Sequence, residues 1–188
     1  KFNIIAALDA NWGIGKDNGL PWPRLKGDMK HFHDSTTQAA DGKVNAVIMG
    51  RKTWDSLPEK SRPLADRLNL VLTRSDIDFP DGVLKADSFD GALKMLEKRD
   101  DVDLVWVIGG ANVYKQALEH KDFHRLYATE IAATFDCDAF FPQFDFGMMH
   151  DPFAATEYKE EEGMQYGFVI MTVKFHYHTR FSQTTNPF

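Results

Sequence analysis

Cysteine occurs once, at Cys137, so the chain can form no internal disulfide and holds no cysteine-rich metal site. That usage fits a reducing compartment, and Cys137 reads as an inert core thiol rather than a nucleophile. Positive charge is in deficit, with 22 Lys and Arg against 28 Asp and Glu, a net −6. A nucleic-acid-binding domain concentrates basic residues, so nucleic acid is not expected as the main partner, while a local basic pocket for a small anion stays open. No apolar run approaches the ~20 residues of a membrane span. No charged-then-apolar leader opens the chain, so a cytoplasmic protein without a membrane partner is expected. The GKS/T phosphate loop, HExxH and GxSxG are all missing. His31 and His33 lie two apart on a helical stretch and read as exposed, and His176 with His178 sits near the C-terminal end. No metal cluster and no general-base dyad emerges, which pushes any chemistry onto a cofactor positioned by the protein.

What is present is enough for one core. The 188 residues are 43% apolar and 13% aromatic, and no repeat, low-complexity linker or composition break divides them. One domain over 1–188 is expected, with a loose tail over about 181–188. Continuous apolar runs at 2–8, 44–50, 68–72 and 102–108 suit central strands covered on both faces. A short strand is expected around 83–85 and another at 125–131. Helices are expected over 25–36, 51–57, 88–98 with Ser88 as N-cap, and after Gly109-Gly110 to about 118. Residues 9–23 carry three Gly and two Pro and read as a long functional loop. Residues 135–152 read as irregular, and 153–159 with 168–178 as an antiparallel pair joined through an acidic turn at 160–163. The order gives an α/β three-layer sandwich: a central, mainly parallel eight-stranded sheet with an antiparallel C-terminal edge, flanked by about four helices. Ligands of such sheets bind at the carboxyl ends of the strands.

Within the first helix, Leu25, Asp28, Met29 and Phe32 share one face, and Lys26, Lys30, His33 and Asp34 lie opposite. Asp28 is thus a carboxylate in an apolar stripe. An unpaired buried charge costs several kcal/mol, to order of magnitude, so it needs a partner. That partner is either a core arginine or the N–H groups of a ligand. Three strand-to-helix junctions carry further chemistry. Gly109-Gly110-Ala111-Asn112-Val113 puts bare backbone at a helix start, either a tight turn or a pyrophosphate site. Arg51-Lys52-Thr53 and Thr73-Arg74 place cations and hydroxyls at two other strand ends. Together they predict a phosphorylated dinucleotide along the strand ends, with its extra phosphate near Arg51 and Arg74.

Ala6-Ala7, Trp12-Gly13-Ile14-Gly15, Leu20-Pro21-Trp22, Asp28 with Phe32, the run from Val47 through Gly50-Arg51-Lys52-Thr53 to Trp54, Arg62-Pro63-Leu64, Arg67, and Ile108-Gly109-Gly110 with Tyr114 resemble dihydrofolate reductase, in its longer eukaryotic-type form. The resemblance spans about residues 2–177. It implies NADPH-dependent reduction of 7,8-dihydrofolate to tetrahydrofolate for one-carbon metabolism, in a monomer open to antifolate inhibitors. Asp28 would accept the fork of N–H groups on the pterin, with Trp22 and Thr129 beside it. The proton for N5 arrives through water in this family, so Asp28 is an orienting and electrostatic residue. Leu20, Met29, Phe32, Ile108, Ala6 and Tyr114 match the substrate walls, and Arg67 the partner of the substrate's α-carboxylate. Ala7, Ile14, Gly15, Thr53 and the helix start at Gly109 to Val113 match NADPH contacts. Arg51, Lys52, Leu72, Thr73, Arg74 and Ser88 match the adenosine and 2′-phosphate end. The Gly109–Gly110 bond is implied to be cis. Three positions depart from the pattern. Asp28 stands where vertebrate-like members have Glu, Ser61 where they have an Asn on the folate tail, and Asp87 where many have Arg, so Asp87 is expected to point away. With the sequence ending at Phe188, no fused thymidylate synthase domain is expected. The alternatives are a related pteridine or pyrimidine reductase of this fold, which would not need Arg67, and a non-catalytic folate- or nucleotide-binding module.

Overall fold

The apolar runs pair with one another. In the computed structural model, which describes residues 1–143, 148–150 and 158–173, they form one sheet in the order β10-β11-β7-β1-β6-β3-β4-β5. The strands are β1 (Phe2–Leu8), β3 (Val44–Gly50), β4 (Arg67–Leu72), β5 (Leu84–Ala86), β6 (Val102–Gly109), β7 (Phe123–Ile131), β10 (Tyr158–Glu161) and β11 (Met164–Val173). From β5 to β7 every pairing is parallel, and β11 and β10 then run antiparallel. A short β9 (Met148–His150) adds to β11.

The two sides of the sheet are buried under different helices, as period-2 alternation requires. Ile4, Ala6 and Leu8 point into one core with Ala46, Ile48, Leu70 and Val107. That core is covered by α3 (Phe89–Glu97) and α4 (Ala111–Glu119) through Phe89, Ala92, Leu96, Val113, Tyr114 and Ala117. Ile5, Val47, Met49, Val71, Trp106 and Ile108 point to the other side, under Phe32 of α1 (Lys26–Thr37) and Trp54 of α2 (Arg51–Ser56). Ser88 caps α3 as the sequence suggests, its hydroxyl accepting the Gly91 amide at 3.2 Å. No helix among the described residues is long and apolar enough to cross a membrane.

Three expectations change. The 9–23 loop contains β2 (Gly13–Gly15), which pairs with β8 (Ala139–Phe140) inside the stretch read as irregular. Strands of two or three residues are too short to carry a detectable alternation. Between them Asp17 and Asn18 both take positive φ, 47° and 60°, and close a two-residue turn from Lys16 to Gly19. The last strand starts at Met164, earlier than expected, while 174–178 and the tail, with His176 and His178, lie outside the described residues, as does 153–157 of the expected 153–159 strand. His31 is half-buried rather than exposed: its ring stacks on Phe168 at 3.9 Å, and burial, with Lys159 nearby, pulls its pKa down.

Candidate active site

Asp28 sits in the first turn of α1 and is 8% exposed. Its carboxylate shares a hydrogen bond with Thr129, a buried β7 residue in register with Ala7 of β1. No arginine or lysine among the described residues pairs with it, so the ion-pair reading of the apolar stripe fails. Burial raises its pKa, the Thr129 bond offsets part of that, and the Glu161 charge adds to the rise. Trp22 lies close in sequence and is buried, and its indole N–H has no acceptor among the described residues. A buried donor without an acceptor and a buried carboxylate without a cation, both among the described residues, are polar groups of the kind a ligand satisfies.

Apolar side chains lie near Asp28 along the chain. Leu20 and Met29 are 56% and 39% exposed, which is unusual for large apolar residues this close to a core. Phe32, one turn on from Asp28 along α1, is half-buried and packs towards Ile108. Ala6, by contrast, is buried in the core on the α3/α4 side, and Tyr114 is buried there with its hydroxyl donating to the Ile5 carbonyl at 3.0 Å.

Arg67 opens β4 at the far side of Phe32. Its guanidinium carbon lies 5.9 Å from the Phe32 ring centre. Nε donates to the Ala65 carbonyl and Nη1 to the Thr36 hydroxyl, both at 2.8 Å. Burial lowers its pKa, and no carboxylate pairs with it among the described residues. The rest of the guanidinium fork is therefore free to take a carboxylate. Ser61 is exposed at the end of a short 3-10 turn, and its backbone amide donates to the Pro58 carbonyl at 2.7 Å.

The three glycine- and cation-bearing junctions form one ledge. Register sets Gly109 beside Met49, Gly50 beside Leu72, and Leu72 beside Ala86. A Cβ on Gly50 would lie 3.1 Å from Val113, and one on Gly110 would lie 3.4 Å from the Thr53 hydroxyl. Gly109 has φ 121°, and any Cβ there would press on Tyr114 at 3.2 Å, so only glycine fits. The Gly109–Gly110 peptide is cis, as is Arg62–Pro63. Gly110 caps α4 without a side-chain bond, and the first amides of that helix, on Ala111, Asn112 and Val113, have no intrahelical acceptor. Two strand spacings, roughly 10 Å, separate the β6 and β4 ends, about the span from a pyrophosphate to a further phosphate. Arg51 is held by Asp55 at 2.7 Å through Nε, leaving its other N–H groups available. Lys52 and Arg74 are exposed, and the Thr73 hydroxyl accepts the Ser75 amide. Asp87 accepts the Ser88 hydroxyl at 3.1 Å, so both side chains are engaged at the α3 cap.

Several residues that hold the site carried no sequence signal. Asp9 knots the loop base: its carboxylate takes the amides of Asn11, Gly13 and Phe135 at 2.7–2.9 Å and the Cys137 thiol at 3.7 Å. Burial raises its pKa, but these donors outweigh burial and leave it low. Burial and the Asp9 charge push the Cys137 thiol up, away from nucleophile behaviour. Thr36 fixes Arg67, and Glu161 reaches α1 from a hairpin more than 130 residues away. Only contacts across the fold reveal them.

The comparisons with known proteins agree with this geometry. The family model described as dihydrofolate reductase matches residues 1–174. The dihydrofolate reductase of Mus musculus is 42% identical over 181 residues, covering 92% of this chain and 97% of the mouse protein. That of Gallus gallus is 45% identical over 177 residues, covering 89% of this chain and 94% of the chicken protein. The solved structure of Schistosoma mansoni dihydrofolate reductase superimposes with a TM-score of 0.81 at 37% identity, over 93% of this chain and 98% of that one. With the family model matched over nearly the whole chain and relatives above 40% identity covered almost end to end, this chain belongs to the dihydrofolate reductase family.

Proposed function

We propose that the chain reduces 7,8-dihydrofolate to 5,6,7,8-tetrahydrofolate with NADPH as reductant. The observation that carries this is Asp28, a carboxylate buried without a cation among apolar walls. A pterin presents an amino group and a ring N–H side by side, and one carboxylate accepts both in the way it accepts an arginine's fork. The Thr129 bond fixes the carboxylate's rotation, so the fork can dock in one orientation. Leu20, Met29 and Phe32 cover the ring and exclude water, and Arg67 takes the α-carboxylate of the glutamate tail.

The ledge fits a nicotinamide dinucleotide. Side chains are missing at Gly50, Gly109 and Gly110, where a Cβ would crowd Val113, Tyr114 or Thr53, and this leaves backbone open to close approach. The α4 amides suit a pyrophosphate, and Arg51, Thr73 and Arg74 suit the 2′-phosphate that separates NADPH from NADH. When bound, reduced nicotinamide supplies the hydride that C6 of the pterin accepts. The chain's part is to hold the two rings face to face, which supplies the proximity the transfer needs. As a carboxylate, Asp28 places negative charge against the pterin, which favours the protonated form of the ring and so assists delivery of a proton through water to N5. Antifolates that present the same N–H fork fall in the same cleft, and the proposal extends to a monomer of the cytoplasm.

The test is loss of the near-ultraviolet absorbance of NADPH on adding dihydrofolate, against a folate-free control. Oxidation that needs dihydrofolate supports the assignment. A trace identical to the control refutes it.

A further inference from the structure

Helix α1 lacks an N-cap of its own. Leu25 occupies the cap position and has no side-chain acceptor to offer. The acceptor comes instead from Glu161, at the tip of the β10–β11 hairpin. One carboxylate oxygen takes the Lys26 amide at 2.5 Å, and the other takes the Gly27 amide at 3.0 Å. The second oxygen also accepts the Tyr166 hydroxyl at 3.1 Å. Tyr166 is almost fully buried, and its hydroxyl lies where a Cβ on residue 27 would be, 2.1 Å away, so Gly27 is the only residue that admits this contact. The residue after Gly27 is Asp28.

These contacts close a circuit. Asp28 bonds Thr129 on β7, Thr129 pairs in register with Phe168 on β11, β11 turns back through Glu162 and Gly163 into β10, and Glu161 on β10 holds the two amides before Asp28. We propose that Glu161, backed by Tyr166, is a positioning residue for Asp28: it fastens the first turn of α1 to the C-terminal hairpin and so sets where the Asp28 carboxylate meets Thr129 and the substrate. The inference rests on the role given to Asp28 above. Three electrostatic facts agree with the geometry. The Gly27 and Lys26 amides hold the Glu161 carboxyl below its ordinary value, so it stays ionised. Burial and the Glu161 carboxylate push Tyr166 up to about 12, so it stays a donor. The Glu161 charge is felt at Asp28. The Asp28 charge is also felt at Tyr166 on β11.

The experiment compares wild type, Glu161→Ala, Glu161→Gln and Tyr166→Phe. It measures kcat and KM for dihydrofolate and for NADPH, and titrates the Asp28 carboxyl carbon by NMR in the folded protein without substrate. Glu161→Ala should lower kcat/KM for dihydrofolate by ~10- to 100-fold, the scale set by small misplacements of a substrate-positioning group. Its KM for NADPH should stay within about twofold, because the ledge is not part of the circuit. Glu161→Gln keeps an acceptor oxygen and should recover most of the turnover, yet Asp28 should titrate at lower pH than in wild type because a nearby negative charge is gone. Should Glu161→Ala fail to fold, Glu161→Gln and Tyr166→Phe carry the test through the same titration. Unchanged dihydrofolate constants with an unmoved Asp28 midpoint would overturn the inference. Equal losses for dihydrofolate and NADPH would overturn it too, as the mark of general destabilisation. A wild type that turns over no dihydrofolate would sink the assigned activity, while the Asp28 titration would still decide the positioning.

Discussion

Replacing Asp28 by Asn separates what the residue does for the fold from what it does for the reaction. In the fold the carboxylate is a cost. It is 8% exposed, has no cation partner among the described residues, and keeps a hydrogen bond to Thr129. Asn has nearly the same shape and can still accept from the Thr129 hydroxyl, so the packing survives. The sign of the pH effect follows from the direction of the shift. Burial raises the Asp28 pKa above its ordinary 3.8, so this group's contribution to stability is fully present below that value and is lost as pH rises through the folded value. An amide has no such dependence. Thermal stability of Asp28→Asn relative to wild type should therefore rise from acid to neutral pH and be at least equal at neutral pH. For the reaction the sign is opposite. The carboxylate is assigned two hydrogen bonds from the pterin, and bonds to a charged group are worth about 1.5–3 kcal/mol each. The amide turns an N–H towards one of those donors. Losing one bond outright and the charge assistance of the other is at most about 3–6 kcal/mol of transition-state stabilisation, up to ~10⁴-fold in kcat/KM. NADPH affinity should be nearly unchanged. Steady-state kinetics, NADPH binding by fluorescence and melting curves across pH check all three. A variant that loses NADPH affinity as much as turnover, or that melts lower at neutral pH while keeping turnover, would refute the reasoning.

Arg67→Leu should mainly raise the KM for dihydrofolate, because the free part of its fork is assigned to the glutamate tail; an unchanged KM would mean the tail is held elsewhere. Arg74→Glu should lower the preference for NADPH over NADH, measured as a ratio of kcat/KM values, since a like charge at the β4 end repels the 2′-phosphate. Asp9→Asn should loosen the 9–15 loop: amide exchange at Asn11, Gly13 and Phe135 should speed up, and melting should fall by the ~1–3 kcal/mol that unsatisfied buried donors cost. Because the Asp9 carboxyl is held low, the stability it contributes is present above its ordinary 3.8 and is lost as pH falls through the folded value, so wild type and Asp9→Asn should converge in acid.

Much of this was legible in the sequence, for identifiable reasons. The runs in β1, β3, β4 and β6 are apolar on both faces because both faces are covered, and such runs need no context to recognise. Asp28 announced itself by breaking a stripe, and the junctions at Arg51, Thr73 and Gly109 lie at strand ends that the topology sets side by side. The misses share one cause. β2 and β8 exist only because they pair with each other across 120 residues of chain, and neither has a pattern of its own. His31 looked exposed because Phe168, which covers it, belongs to another element. Thr36, Asp9 and Glu161 are ordinary polar residues until the fold shows what each one holds. Thr129 carries no local signal either, and only the resemblance pointed to it.

The central claim is that Asp28 accepts the N–H fork of the pterin. A double-mutant cycle on binding tests this most directly, pairing wild type and Asp28→Asn with dihydrofolate and with an analogue lacking the ring amino group. The account predicts strong non-additivity: removing the amino group should weaken binding to wild type at least about tenfold, a coupling of ~1.4 kcal/mol, and should barely affect binding to the variant. Additive losses would contradict it, because the carboxylate and the amino group would then not be partners.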